Sequence, residues 1–164
     1  MINSNQWLGN ISGNLSANGF APLKQEEYQP PGFKYAARRS RFEILKFGVA
    51  EYFFTFAEIP NLVPDVLRTY SNAAFQFAQA NKTNPLPNGF FGAVFCFAVA
   101  ITANLHPQLA DSVRNSEPTK HWSAFEIPVV FDLSNGGLYY FEKTPMWGAA
   151  YYAGFRREIQ TNLS

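Results

Sequence analysis

Charge is scarce in this sequence. Asp, Glu, Lys and Arg make up 15% of its 164 residues, where an average soluble domain carries about 25%. So few charges can hardly cover a monomer's surface, so the expectation is a homo-oligomer, most simply a dimer, with an apolar face for self-contacts or a protein partner. The two signs nearly cancel, leaving a net +1, which argues against whole-body attraction to nucleic acid or an anionic membrane. Cysteine is almost absent. Cys96 stands alone, which excludes an intrachain disulfide and a cysteine zinc cluster. Its setting, Phe95-Cys96-Phe97, is that of a small buried hydrophobe. The longest uncharged apolar run, Gly89 to Ala103, falls short of the ~20 residues a membrane helix needs. No basic region followed by an apolar run opens the chain, so the expected location is the cytoplasm.

Catalytic motifs are lacking too. The sequence has no glycine-rich phosphate loop, serine-hydrolase elbow or helical His-Glu-x-x-His site, so no cofactor or metal is expected. No spacing ties His106 or His121 to a serine, and His121 beside Trp122 reads as a packed or capping residue. Asp132, Glu142 and Lys143 have the residue types of a metal-dependent nuclease. Glu142 and Lys143 are adjacent, however, and side chains of adjacent strand residues point to opposite faces. That chemistry needs both on one face.

What is present is aromatic, at 17% of the chain, and strongly patterned. Around Trp122 to Tyr152, two strand-like runs flank Asn135-Gly136-Gly137. Phe125, Ile127, Val129 and Phe131 alternate with Glu126, Pro128, Val130 and Asp132. A three-residue loop, Ser134 to Gly136 with Gly136 left-handed, pairs Phe131 with Tyr139 and Val129 with Phe141.

Residues 1–40 are rich in Asn, Gly, Ser and Pro, with scattered apolar side chains, and read as an extended N-terminal arm. Trp7, Phe20 and Phe33 are its candidate pins, and a neighbouring chain is a candidate surface for it. Residues 41–164 form the body. Phe42 to Phe47 and Glu51 to Glu58 read as strands, the second apolar on both faces and therefore interior. Asn61-Leu62-Val63-Pro64 then opens a helix, and Asn104-Leu105-His106-Pro107 does the same after the strand Ala93 to Ile101. In both, Asn is the expected cap and proline sits in the first turn. A third helix is expected from Pro145, capped by Thr144, after a strand from Leu138 to Lys143. On the first helix, Phe75 falls among polar neighbours and is expected to be exposed. Ala150, Ala153 and Gly154 leave room for another backbone.

The element order is β-β-α-β-α-β-β-α. It describes one domain, α/β or α+β, with helices packed on a mixed sheet. The strands joined through a helix should be parallel and the final hairpin antiparallel. The reading of function that follows is a non-catalytic oligomeric interaction or structural protein. The alternative is a small-molecule-binding domain or enzyme at the carboxyl ends of the parallel strands. There Glu58, His106 and Lys143 would serve as acid–base and anion-binding groups beside Asn61, Thr102, Asn104 and Thr144, provided the last strand also runs parallel. A weaker alternative is nucleic-acid binding through Arg38-Arg39-Ser40-Arg41, with Lys34 and Lys46 nearby.

Overall fold

A computed structural model describes residues 1–24, 32–43, 48–89, 91–146 and 148–164. The chain runs through α1 (Ser4–Ala17), β1 (Ala21–Pro22), β2 (Tyr35–Glu43), β3 (Gly48–Glu58), α2 (Pro64–Ala80) and β4 (Gly92–Thr102). It continues through α3 (Pro107–Asn115), β5 (Thr119–His121), β6 (Ala124–Asp132), β7 (Gly137–Tyr139) and α4 (Ala149–Leu163). The strands make one mixed sheet in the order β1-β2-β3-β4-β6-β5, with β7 also on β6. β3, β4 and β6 are parallel, joined through α2 and α3, and the remaining pairings are antiparallel. This is a single α+β domain. No helix among the described residues is long and apolar enough to cross a membrane.

The three parallel strands are buried on both faces, as the largely apolar runs of β3 and β4 require. The two faces differ in side-chain size. Tyr52, Phe54, Phe56, Phe95, Phe97, Val99, Phe125, Ile127 and Phe131 form a bulky face packed by α1 and α4. Opposite them, β4 offers only Val94, Cys96, Ala98 and Ala100, and α2 brings Tyr70, Phe75 and Phe77 onto that shallow surface. On the bulky face, α1 and α4 add large side chains of their own, among them Trp7, Tyr152 and Phe155; on the other, large helix residues fill the space above small sheet residues.

The largest departure from expectation lies at the N-terminus. Residues 1–40 do not stand apart as an extended arm. They hold α1, β1 and part of β2, and Trp7, Leu8, Ile11 and Leu15 enter the core of their own chain together with Phe20. Trp7 stacks on Phe131 at 3.9 Å between centroids and 6° between planes. Phe33 is buried against Tyr70 and Phe77 on the other face. The three expected pins do pin, in cis. The spacing of Trp7, Leu8, Ile11 and Leu15 is that of one helix face, and Asn3 caps it by accepting from the Gln6 N–H at 3.1 Å. The Asn, Gly and Ser around these residues masked that period.

Other boundaries moved for local reasons. Each expected Asn cap gives way to the residue just before proline: α2 begins after Val63 and α3 after His106, whose Nδ1 accepts from the Gln108 N–H at 3.3 Å. α4 begins at Ala149 rather than Pro145, with Gly148 at φ +89° as its cap. The final hairpin pairs Val130 with Tyr139 and Phe131 with Leu138, one step from the expected register. The Asp132 carboxylate accepts from the Ser134 N–H at 2.9 Å and its carbonyl from the Gly136 N–H at 2.8 Å. That Asx turn lengthens the loop to include Leu133, which is buried. Gly136 is left-handed as expected, at φ +71°. β7 pairs with residues 130–132, and β5 pairs with residues 124–126 on the same edge of β6. β5 also covers Phe75, whose ring stacks on His121 at 4.1 Å. Phe75 is therefore buried, not exposed. The expected end of the strand from Phe42, Ile44 to Phe47, lies outside the described residues.

Candidate binding site

The carboxyl ends of β3, β4 and β6 do not gather the three expected residues. Glu58 ends β3 and is ion-paired with Lys34, with the Ser4 hydroxyl donating to it at 3.1 Å. The Lys34 ammonium holds its carboxyl below the usual range. His106 caps α3. Lys143 follows Glu142, whose N–H donates to the Arg114 carbonyl at 2.9 Å in the last turn of α3. His106 and Lys143 thus mark opposite ends of a helix that rises about 13 Å. The strand meant to deliver Lys143 is antiparallel to β6, which removes the geometric premise of the cluster. Thr102 is buried at the end of β4, and its hydroxyl donates to the Pro60 carbonyl at 3.5 Å. Asp132 is buried and accepts from the Leu105 N–H at 3.3 Å and from Ser134. Polar groups at this end hold connections together. A shallow hollow of about 430 Å³ does touch Glu58, beside Asp65, Thr69 and Tyr70.

The basic run is split by strand alternation. Arg38 turns to the α2 side, where its guanidinium donates to the Asn81 carbonyl at 2.7 Å. Arg39 turns to the α4 side, where it pairs with Glu158 at 2.5 Å and lies over the Phe20 ring. Two adjacent arginines on opposite faces, each engaged internally, do not make a continuous basic groove. Lys46 lies outside the described residues.

The other end of the parallel strands is built differently. A cavity of about 460 Å³ opens between the amino ends of β3, β4 and β6 and the first turn of α4. Phe95 and Phe125 form its floor with Ala50 and Ala93, Tyr151 and Tyr152 its α4 wall, and Phe91, Lys120 and Ser123 its rim. Such a volume falls within the range of small-ligand sites. Sequence parity explains the floor. Phe95 and Phe125 belong to the bulky face, and at this end Ala50 and Ala93 replace the bulk, which leaves a void under α4.

Two non-glycine residues with positive φ, Phe91 at +58° and Ser123 at +51°, both stand on this rim, each immediately before a parallel strand. An aromatic in the left-handed region costs about 1–2 kcal/mol and persists only where neighbours impose it. Here the Phe91 carbonyl accepts from the Val49 N–H at 2.9 Å and from the Asn84 side chain at 3.3 Å. Gly48 makes this approach feasible, since a Cβ there would collide with the Phe91 backbone. Ser123 is held by its hydroxyl donating to the Gly92 carbonyl at 3.2 Å.

The loop carrying Phe91 is fastened from within by Glu51, only 1% exposed. Its carboxylate accepts from the Thr83 N–H at 2.7 Å, the Thr83 hydroxyl at 2.6 Å and the Asn84 N–H at 3.2 Å. This buried acid is therefore satisfied and structural. Around the cavity mouth the surface turns apolar: Phe91 is 64% exposed, Trp122 80% and Phe42 65%.

The cavity offers little for acid–base chemistry. Lys120 is the one charged residue lining it among the described residues. Burial, and then the charge of Glu117, raise the Tyr152 phenol above its ordinary range, so it does not ionise near neutrality. Cys96 is on the opposite face, fully buried, with its thiol pushed up by burial and then by Glu126, so it is not a nucleophile. His121 contacts Glu126 at 3.2 Å and stacks on Phe75, the packed role its neighbours suggested. No family model matches this chain, and no curated protein or solved structure matches it. Alternation in the sequence could have located the aromatic floor. The cavity itself depended on where α4 begins, which the proline signal misplaced.

Proposed function

We propose that this chain is a non-catalytic binding protein whose ligand is a small, largely apolar molecule held in the cavity at the amino ends of β3, β4 and β6. The observation that carries this reading is an aromatic-floored cavity of about 460 Å³ with left-handed Phe91 and Ser123 on its rim. Strain maintained at a cavity mouth, with exposed aromatics beside it, is what a preorganised binding site needs. The absence of any carboxylate or histidine from its described lining favours binding over catalysis. The test is fluorescence titration of the full chain with N-phenyl-1-naphthylamine, a neutral apolar probe. Saturable one-site binding is expected, lost in Ala93→Trp and weakened in Ala93→Leu, both of which fill the floor. Absence of saturable binding both of this probe and of its anionic counterpart, 1-anilinonaphthalene-8-sulfonate, or undiminished binding in folded variants of both kinds, overturns the reading.

A second reading, self-association as a homodimer, has one observation in its favour. From Arg39 to Phe42 the outer edge of β2 pairs with no strand among the described residues, and Phe42 is exposed. An open edge of this kind is a template for strand addition by a second copy. Sedimentation at micromolar concentration decides it: a single soluble species at 18.5 kDa, the mass of one chain, removes this reading.

A further inference from the structure

Among the described residues that line the amino-end cavity, Lys120 is the charged one, and the Glu117 carboxylate acts on Tyr152 from outside that lining. Lys120 stands opposite Phe125 in the β5–β6 pairing, so its side chain shares the face of the Phe125 ring that floors the cavity. Among the described residues no carboxylate lines the cavity and Lys120 forms no ion pair. The opposite wall is the first turn of α4. Its cap is Gly148, which offers no side-chain oxygen, and no acidic residue follows in that turn. The N–H groups of a helix's first turn lack intrahelical acceptors, and the helix dipole makes that end positive. An ammonium and the positive end of α4 therefore border one aromatic-floored cavity, between Phe125 on one side and Tyr151 and Tyr152 on the other.

We propose that the ligand is an organic anion: a flat aromatic body against Phe95, Phe125 and Tyr151, carrying a carboxylate or sulfonate that Lys120 holds at the rim. This rests on the preceding assignment of the cavity as the binding site. The chemistry is specific in sign. A cation would face Lys120 with no counter-charge. A neutral apolar ligand would leave the ammonium beside an apolar surface without a partner as water is displaced. An anion completes the pair, and a charge-assisted hydrogen bond at a partly dry rim is stronger than one in bulk water.

The experiment uses two probes with the same ring system, 1-anilinonaphthalene-8-sulfonate and its counterpart without the sulfonate, N-phenyl-1-naphthylamine. On the intact chain the sulfonate should bind about tenfold more tightly or better, the effect of one charge-assisted contact. Added salt should reduce that preference. Lys120→Met should abolish it, with weaker sulfonate binding and neutral-probe binding no weaker than in the intact chain, and Lys120→Arg should retain it. Lys120 is exposed on a three-residue strand, so these variants should keep the wild-type melting temperature. Equal binding of the two probes overturns the anion inference and leaves the cavity assignment standing. Failure of both probes to bind overturns the cavity assignment itself. A sulfonate preference that survives in Lys120→Met overturns the role given to Lys120.

Discussion

The two ends of the parallel strands solve the same construction problem in opposite ways. At the carboxyl end of β3, β4 and β6, strands hand over to α2, α3 and a hairpin, and polar groups are engaged where they stand. Asp132 accepts from two backbone N–H groups, His106 caps α3 and Glu58 pairs with Lys34. At the amino end, strands are entered from loops, and the chain keeps left-handed Phe91 and Ser123, exposed Phe91 and Trp122, and an open cavity. Ligands in open α/β sheets ordinarily bind beyond the carboxyl ends, where crossover helices begin. Here that position is occupied by capping and turn chemistry. The cavity at the amino end is bordered by α4, which comes from outside the parallel unit. Fold-level convention points to the carboxyl end, whereas the binding site proposed above lies at the amino end.

The contrast can be tested by substitution. The largest effect belongs to the carboxyl end. Asp132→Ala leaves the Leu105 and Ser134 N–H groups without their acceptor, and denaturant unfolding should show a loss of about 2–3 kcal/mol, partly restored in Asp132→Asn. Little loss would mean that this end is not held as described. Next comes Gly136→Val, also at that end. A β-branched residue resists the φ of +71°, and its Cβ would approach Ile2 at 3.0 Å, so a loss of about 1–2 kcal/mol is expected from the same measurement. The smallest effect has the opposite sign and sharpens the comparison most. Phe91→Gly relieves about 1–2 kcal/mol of left-handed strain and gives back about 0.5–1 kcal/mol in glycine's chain entropy. A small rise in melting temperature is therefore expected, together with weaker binding of the naphthylamine probe. If Phe91→Gly destabilises the protein instead, packing at the rim outweighs strain and the contrast between the ends fails.

Much of the fold was legible because it rests on periodicity. Apolar runs on both faces of residues 51–58 and 93–101 required interior strands, and these are β3 and β4. The helices between them made those strands parallel, and Pro107 located the start of α3. α1 was legible in principle, since Trp7, Leu8, Ile11 and Leu15 keep helical spacing, but loop-forming composition obscured it. Phe75 was misread because its partner, His121, lies on a strand of three residues, too short to leave a period. The candidate site was not legible. Glu58, His106 and Lys143 were placed together on the premise that the last strand runs parallel, but a hairpin joins it to β6 and so sets it antiparallel on the edge of β6 that β4 leaves free. β7 entered that edge antiparallel beside β5.

By itself, then, the sequence determined that residues 51–58 and 93–101 are interior strands, where helices connect parallel strands, and that Gly136 turns left-handed. Those properties follow from side-chain alternation, missing N–H groups and steric limits on φ, all of which act within a few residues. The tertiary structure alone decided that residues 4–17 pack in cis, that Arg38 and Arg39 are drawn to separate partners, and that α4 begins far enough along to leave a cavity over Phe95 and Phe125. Each of these depends on what distant segments leave unfilled, and a void or a counter-charge has no signature in the residues that border it.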